Sequence, residues 1–541
     1  MTLRTDRRGL LFAAAGLSAA ATLSGCANAR TIGLDRTRRS LDIANSGEPL
    51  SLDPHKASGV WENNIIGNLY MGLTTEGPDA QPMPGVAERW ESSPDLRTWR
   101  FHLRAARWSD GAPLTAHDFV FGFQRILDPE TLSEYAAVLY TLKNAEIVNR
   151  GDLPPSAVGV RALDDRTLEM ELEYPAAYMP SLLKHYTAYA VPKHAIERYG
   201  ADWMQPENIV VSGPYTLVRW WSNFVVHLKK NPAFYDAQNV FLEDLYFYPT
   251  TDVNTAARLV SSGERGWSKE FPAQQVDELR AAMPAYVRVA PYLLMNYFSF
   301  NCTRPPFDDP RLRQALTMAV DRDFLAREIY RTGETPAYNF VPPGLANYTP
   351  RARYRWADEP IVERRRRAVQ LLEAAGYGPS KPLRFEFSHR TTSINPRVAT
   401  VAQAHWRGLA DWVRVDLAPT ETQIHYANLR AKNFTVGDGG WVADFNDPKN
   451  YLFLLETRTG PQNYPGYSNP RYDALVAESD RVVDQSRRQD MIAQAEQIML
   501  DDCPVCTTVF GVSRNLVHPD LTGYADNVED IHRARWFGIR N

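Results

Sequence analysis

The chain has 541 residues, of which 44% are hydrophobic, 23% charged and 11% aromatic. This is ordinary globular usage; it excludes a single small module and wholesale disorder, and leaves room for three or four units of ~100–200 residues or for two large lobes. With 60 Lys and Arg against 64 Asp and Glu, the net charge is −4, so no overall positive field exists to hold a phosphate backbone and nucleic acid is excluded as a default partner.

Residues 1–25 read as an export signal: Arg4, Arg7 and Arg8 precede an uncharged Ala- and Leu-rich stretch, followed by Ser24, Gly25 and Cys26. The stretch is short against the ~20 strongly apolar residues that a spanning helix needs, and no later segment is a candidate span. Leu23, Ser24, Gly25 and Cys26 resemble a bacterial lipobox, which implies lipidation at Cys26. Arg7 and Arg8 loosely resemble a twin-arginine signal. Residues 26–40 are expected to be a linker. Cys302, Cys503 and Cys506 are too few for a disulfide framework. Cys503 and Cys506 have redox-motif spacing but sit in an apolar, strand-like run, so a packed thiol pair or a local disulfide is expected there.

Along the mature chain, β-rich runs predict strands at 98–103, 167–172, 215–217, 224–228, 383–387 and 413–417. Helical periodicity predicts helices at 118–127, at 310–330 with Asp309 as cap, at 361–375 with Gly376 as stop, and at 472–501. Strands interleaved with helices of this length imply α/β lobes. In the helix at 361–375, Val362, Ala368, Leu371 and Leu372 are expected on the buried side and Arg364 to Arg367 on a solvated face. The eleven His contain no HxH or HxxxH pair, which disfavours a metal site, and no cofactor is expected. The zinc-protease HExxH, the GxSxG elbow, the phosphate loop and GxGxxG are absent, which argues against the commonest enzyme classes.

Several stretches together resemble the extracytoplasmic solute-binding proteins of family 5, the oligopeptide- and dipeptide-binding components of ABC importers. They are SLDPHKASGV (51–60), TWRFHLRAARWSDGAPLTAHDFVFGFQRILDP (98–129), VSGPYTLVRW (211–220), PPFDDPRLRQALTMAVDRDFL (305–325), GGWVADFNDP (439–448) and YSNPRYDALV (467–476). The likeness is nearest to the oligopeptide branch. It implies an α/β, bilobed periplasmic-binding-protein fold of the two-hinge, Venus-flytrap type with an additional third domain. Domain I would comprise 41–70, 195–293 and 510–541, domain II 71–194 and domain III 294–509, with chain crossings near 293 and 510 as the hinge.

The resemblance also implies the site. Asp444, in the segment Trp441, Val442, Ala443, Asp444, matches an aspartate that pairs with a peptide α-amine; its bland alternative is a turn aspartate before Asn446 and Asp447. Gly440, Val442 and, from the opposite lobe, Val60 would offer backbone groups to the ligand. Tyr135 would reach the ligand main chain, and Trp441 and Tyr297 would wall the cleft, with core packing as the alternative for each. Asp53 and His55 are expected to be structural.

Two departures stand out. Where relatives place an arginine that can meet a peptide carboxylate, this chain has Asp438, flanked by Gly437, Gly439 and Gly440. An anion there, in a space widened by glycines, would repel a carboxylate and attract a second cation, favouring longer, amidated, cyclic or diamino-acid peptides such as cell-wall fragments. Alternatively, Asp438 faces solvent or pairs with a nearby arginine. The two cysteines of the relatives' cleft disulfide are replaced by Leu294 and Val442. The partners implied are a peptide ligand, a permease with its ATPases, and the membrane through Cys26, with the protein a monomer and no nucleic acid bound. The alternatives are another solute on the same fold (a metal complex, haem, glutathione or a sugar), a ligand-presenting sensor, or, remotely, a peptide-processing enzyme.

Overall fold

The computed structural model describes residues 33–345, 348–391 and 394–540; the export signal and Cys26 lie outside them. Strand Thr98–Leu103 follows the expected alternation and buries Trp99, Phe101 and Leu103 on one face. It pairs antiparallel with Ala87–Ser92 and Thr167–Glu171, and Val160–Asp164 completes a four-stranded sheet. Helix Ala116–Leu127 begins in a capping box of Thr115 and Asp118 and buries Phe119, Phe123, Ile126 and Leu127.

A twelve-stranded mixed sheet forms the rest of the frame. Its order is Tyr215–Trp221, Val225–Lys230, Asp244–Pro249, Ser40–Asn45, Trp267–Ser268, Val505–Val517, Val287–Phe300, Val436–Val442, Leu383–Arg390, Val413–Thr420, with Leu34–Asp35 and Thr335–Pro336 at the side. The two longest strands, Val287–Phe300 and Val505–Val517, join its halves. Their register slips between Pro291 and Met295, opposite Val512 and Phe510. There Leu294 folds over Gly511, where a Cβ would lie 2.6 Å from the leucine side chain. One apolar cluster lies mainly in residues 34–247 and 517–539, a second in 293–510.

Three helices differ from expectation. The one at 310–330 breaks: Pro310–Ala319 ends at Val320, and Asp321 accepts the Phe324 N–H at 2.9 Å to start Arg322–Phe324, which continues as the π-helical Leu325–Tyr330. The Arg322 guanidinium fills the break and donates to the Thr317 and Val320 carbonyls that the ended helix leaves free. The one at 472–501 is two helices, Pro470–Ser479 and Gln485–Asp502, the second capped by Asp484; Asp480 sits at the C-terminus of the first. In Ile361–Ala374, Ala368 and Leu372 are buried as expected, but Val362 is 71% exposed and Arg364 takes its place on the buried side, 4% exposed over the Trp356 and Tyr338 rings. The guanidinium can stack on aromatic faces where an aliphatic side chain gains less.

Cys302, Cys503 and Cys506 are free thiols, so no local disulfide forms between the last two. Burial pushes the Cys503 thiol up to about 12, which leaves it without reactive thiolate at neutral pH. Among the described residues no helix is long and apolar enough to cross a membrane. The C-terminal segment is tied to the rest by buried ion pairs, Lys184 with Glu529, Glu76 with Arg533 and Lys269 with Asp530. Asp53 and His55 both bond Arg125, which anchors the 51–57 turn on helix Ala116–Leu127.

Lys184→Met strands Glu529 in a buried site, and chemical denaturation should show a loss of about 3–5 kcal/mol. The exposed pair of Lys143 and Glu171 should contribute only ~0–1 kcal/mol by the same measurement after Lys143→Met. Leu294 and Val442 face each other across neighbouring antiparallel strands, and facing Cα atoms of such strands, ~4.5–5.5 Å apart, lie within the Cα range that a disulfide spans. The double variant L294C/V442C should therefore oxidise to a species without alkylatable thiols at these positions; two persistently alkylated thiols would show that the register is different.

Candidate binding cavity between the two walls

The turn after strand Val436–Val442 carries the central feature. Asn450 is buried in the short helix Lys449–Leu452, and its Oδ1 accepts both the Trp441 indole N–H at 2.7 Å and the Asp444 backbone N–H at 3.2 Å. These bonds fix the turn. Arg488 holds Asp447 with two bonds of 2.9 and 2.7 Å, which fixes the segment that follows. Asp444 points into a cavity of about 400 Å³. One wall comes from residues 134–147 and 173–178, the other from 441–462 and 477–481. The walls touch where Phe445 stacks on Tyr178 at 5.0 Å.

The Asp444 carboxylate is unsatisfied: its Oδ2 is buried without a hydrogen-bond partner. Burial pushes its pKa up to about 7, with an Asn450 side-chain hydrogen bond pulling the other way. Tyr135 stands on the facing wall, stacked on His185 at 6.1 Å. Burial, and then the Asp444 charge, raise its hydroxyl pKa well above the usual value, so it remains a neutral donor. Trp441 lines the same cavity, edge-on to Phe453.

The other expected residues lie elsewhere. Gly440 and Val442 sit on the strand that leads to Asp444. That strand pairs with Val287–Phe300 along its length, but its ladder with Leu383–Arg390 ends at Gly437, so from Gly439 on its far edge has no strand partner among the described residues. Val60 begins helix Val60–Leu69 and is 50% exposed, outside the large cavity. Tyr297, 3% exposed, packs against Gly439 and lines a separate space of about 10 Å³ together with Asp438, Arg390 and Thr508.

Asp438 requires a correction. The cation it attracts belongs to the protein: Arg390 donates from Nε at 2.8 Å and from its backbone N–H at 2.9 Å, and His425 Nε2 lies 2.9 Å from Oδ1. Burial alone would raise its pKa, but the His425 hydrogen bond and the Arg390 charge outweigh burial and hold the carboxyl below its usual range. Its repulsion of a ligand carboxylate is thus neutralised from within. The glycines do not widen the space either, because a Cβ on Gly437 would meet Leu429 at 2.6 Å and one on Gly439 would meet Tyr297 at 2.7 Å. Ser388 bonds His425 Nδ1 at 3.0 Å, which completes a serine, histidine, aspartate chain. His425 is fully buried, and Ser388 lines neither described cavity, so this chain orients Asp438.

Sequence reasoning missed Asn450, Lys449, Glu456 and Asp480, which also line the large cavity. Lys449 is buried between Glu456 and Asp480. The only local sign is the density of polar residues after Asp444. No group of three or more His, Cys, Asp or Glu among the described residues is arranged to hold a metal ion.

The family described as bacterial extracellular solute-binding proteins, family 5 Middle, matches residues 81–463. The periplasmic oligopeptide-binding protein OppA of Salmonella typhimurium is 34% identical, with 98% of this chain and 98% of that protein covered. Haemophilus influenzae OppA in complex with RPPGFSPFR superposes with a TM-score of 0.85 at 30% identity, over 94% of this chain and 100% of that one. The murein tripeptide-binding protein MppA in its unliganded open form gives 0.75 at 31% identity, over 94% and 98%. The matched span and a near-full-length relative above 30% identity show that the chain belongs to the bacterial extracellular solute-binding proteins of family 5, in their oligopeptide-binding branch.

Proposed function

We propose that this protein is the peptide-capturing component of an ABC importer, working in the periplasm, held to a membrane by a lipid on Cys26, and delivering its ligand as a monomer to a permease driven by ATPases. It carries out no chemistry on the ligand. The observation that carries this reading is the Asp444 carboxylate, enclosed without a cation beside it. A peptide α-ammonium supplies the missing charge, and a charge-assisted bond in an enclosed gap is stronger than a neutral one. The unpaired edge beyond Gly439, with Gly440 and Val442, offers main-chain groups to an extended peptide, which gives affinity without reading side chains. Tyr135 and Trp441 border the amine end. Val60 serves from the opposite lobe, and Tyr297 acts through the position of Gly439.

The lobes in this reading are 41–70, 195–293 and 510–541 on one side and 294–509 on the other, with 71–194 as the additional domain. They turn about the two crossings where the register of the long strands slips. The ligand drives closure only by contacts absent from the open state. Closing the gap empty at neutral pH either leaves Asp444 ionised and desolvated or forces it to take up a proton, and both oppose closure until an ammonium arrives.

Asp444→Ala should lower the affinity for free-amine peptides about a hundredfold or more in calorimetric titration, while N-acetylated peptides, already weak, should lose little. Undiminished binding of free-amine peptides by this variant would overturn the reading. The pH dependence has a definite sign. The Asp444 pKa is raised from 3.8 to about 7 in the closed form, so protonation favours that form, and the favourable contribution is lost as pH rises through about 7. The empty protein should therefore become more compact in small-angle scattering as pH falls from ~8 to ~5. Asp444→Asn should remove this dependence.

A further inference from the structure

The large cavity holds a second carboxylate with one unsatisfied oxygen. Asp480, at the C-terminus of helix Pro470–Ser479, has a side chain only 2% exposed. Its Oδ2 accepts a hydrogen bond from Lys449 Nζ at 2.7 Å, whereas its Oδ1 is buried without a hydrogen-bond partner. Both Asp480 and Asp444 line this cavity. They are tied to consecutive residues of one short helix, since Lys449 bonds Asp480 and Asn450 bonds Asp444. Two carboxylates, each with one unsatisfied oxygen, therefore line one space and are held by a single short helix.

Charge in the lining agrees. Lys449 is shared between Glu456 and Asp480, and Arg458 bonds Glu456 from Nε at 2.7 Å and lies 3.8 Å from Asp480 Oδ2, so this cluster is balanced and both cations meet Asp480 at Oδ2, not at Oδ1. Glu134, Glu146 and Glu173 stand on the facing wall. The whole lining carries six carboxylates against the three cations Lys449, Arg458 and Arg481. A cationic guest is electrostatically favoured and an anionic one is not.

We propose that Asp480 is a specificity-determining residue that receives the side-chain ammonium of the ligand's amino-terminal residue, so that the site prefers peptides beginning with a diamino acid of the lysine or ornithine class. This rests on the reading that Asp444 takes the α-amine. Ammonium is favoured over guanidinium because only one oxygen of Asp480 lacks a partner. A guanidinium is best bound by both oxygens of a carboxylate, and Lys449 already occupies the second. Burial raises the pKa of Asp480, as expected for a carboxyl whose compensation is incomplete.

The test is calorimetric titration of the full chain, stripped of bound peptide, with four tripeptides X-Ala-Ala in which X is lysine, norleucine, Nε-acetyl-lysine or arginine. The expected result is that the lysine peptide binds at least tenfold more tightly than the norleucine and acetyl-lysine peptides and more tightly than the arginine peptide. Asp480→Asn should bring the ratio of lysine to norleucine affinity close to one. Equal affinities of the lysine and norleucine peptides for the unaltered protein would overturn the proposal while leaving the Asp444 reading intact, and this comparison needs no variant to fold. A lysine preference that survives Asp480→Asn would also overturn it. If no member of the series binds, both readings fall.

Discussion

An ionised carboxylate enclosed between two walls without a cation beside it is costly, and the surroundings of Asp444 maintain that situation. Asn450 and the pair of Arg488 with Asp447 hold the turn that carries it. Phe445 against Tyr178 brings the two walls together beside it. The nearby cations are engaged elsewhere: Lys449 with Glu456 and Asp480, Arg488 with Asp447, Arg390 with Asp438. A protein built only for stability would satisfy Asp444 from within. Leaving it unsatisfied transfers that role to whatever enters the gap, and this couples capture to closure.

The sheet supplies the mechanical counterpart. Val287–Phe300 and Val505–Val517 are the two longest strands of the described sheet; one end of each lies in the second apolar cluster, the other ends meet a small cluster around Phe271 and Leu516, and their pairing slips near the change. A slipped register has fewer ladder bonds to resist bending. Strand Val436–Val442 lies immediately beside this region and keeps an open edge over its last residues. The features proposed to bind and to move are thus adjacent on the same strands.

Asp438 and Asp444 lie six residues apart and have opposite fates. Asp438 receives Arg390 from the end of a neighbouring strand and His425 from helix Thr422–Arg430, so its charge is neutralised and its pKa held down. Asp444 receives one neutral asparagine, and its pKa rises. The difference follows from what packs against each residue, since the chemistry of the two side chains is identical.

The sequence by itself determined much of the local structure, because alternation and helical period are written in consecutive residues. Strand Thr98–Leu103 and helix Ala116–Leu127 were legible from pattern and cap, and the family resemblance pointed to Asp444 and Trp441 in the WVAD segment and, separately, to Tyr135, all of which line the large cavity. Only the tertiary structure decided which charges meet. Arg390 stands 48 residues before Asp438, and nothing in either neighbourhood announces the pair. Arg364 is buried on two aromatic rings while Val362 faces solvent, a choice made by Trp356 and Tyr338 and not by helical periodicity. Asp480 faces the cavity because a helix of continuous pattern is interrupted there and restarts at Asp484. Periodicity records the face of an element, whereas the partner of a buried charge depends on the position of another segment, and that position is set by the packing of the whole chain.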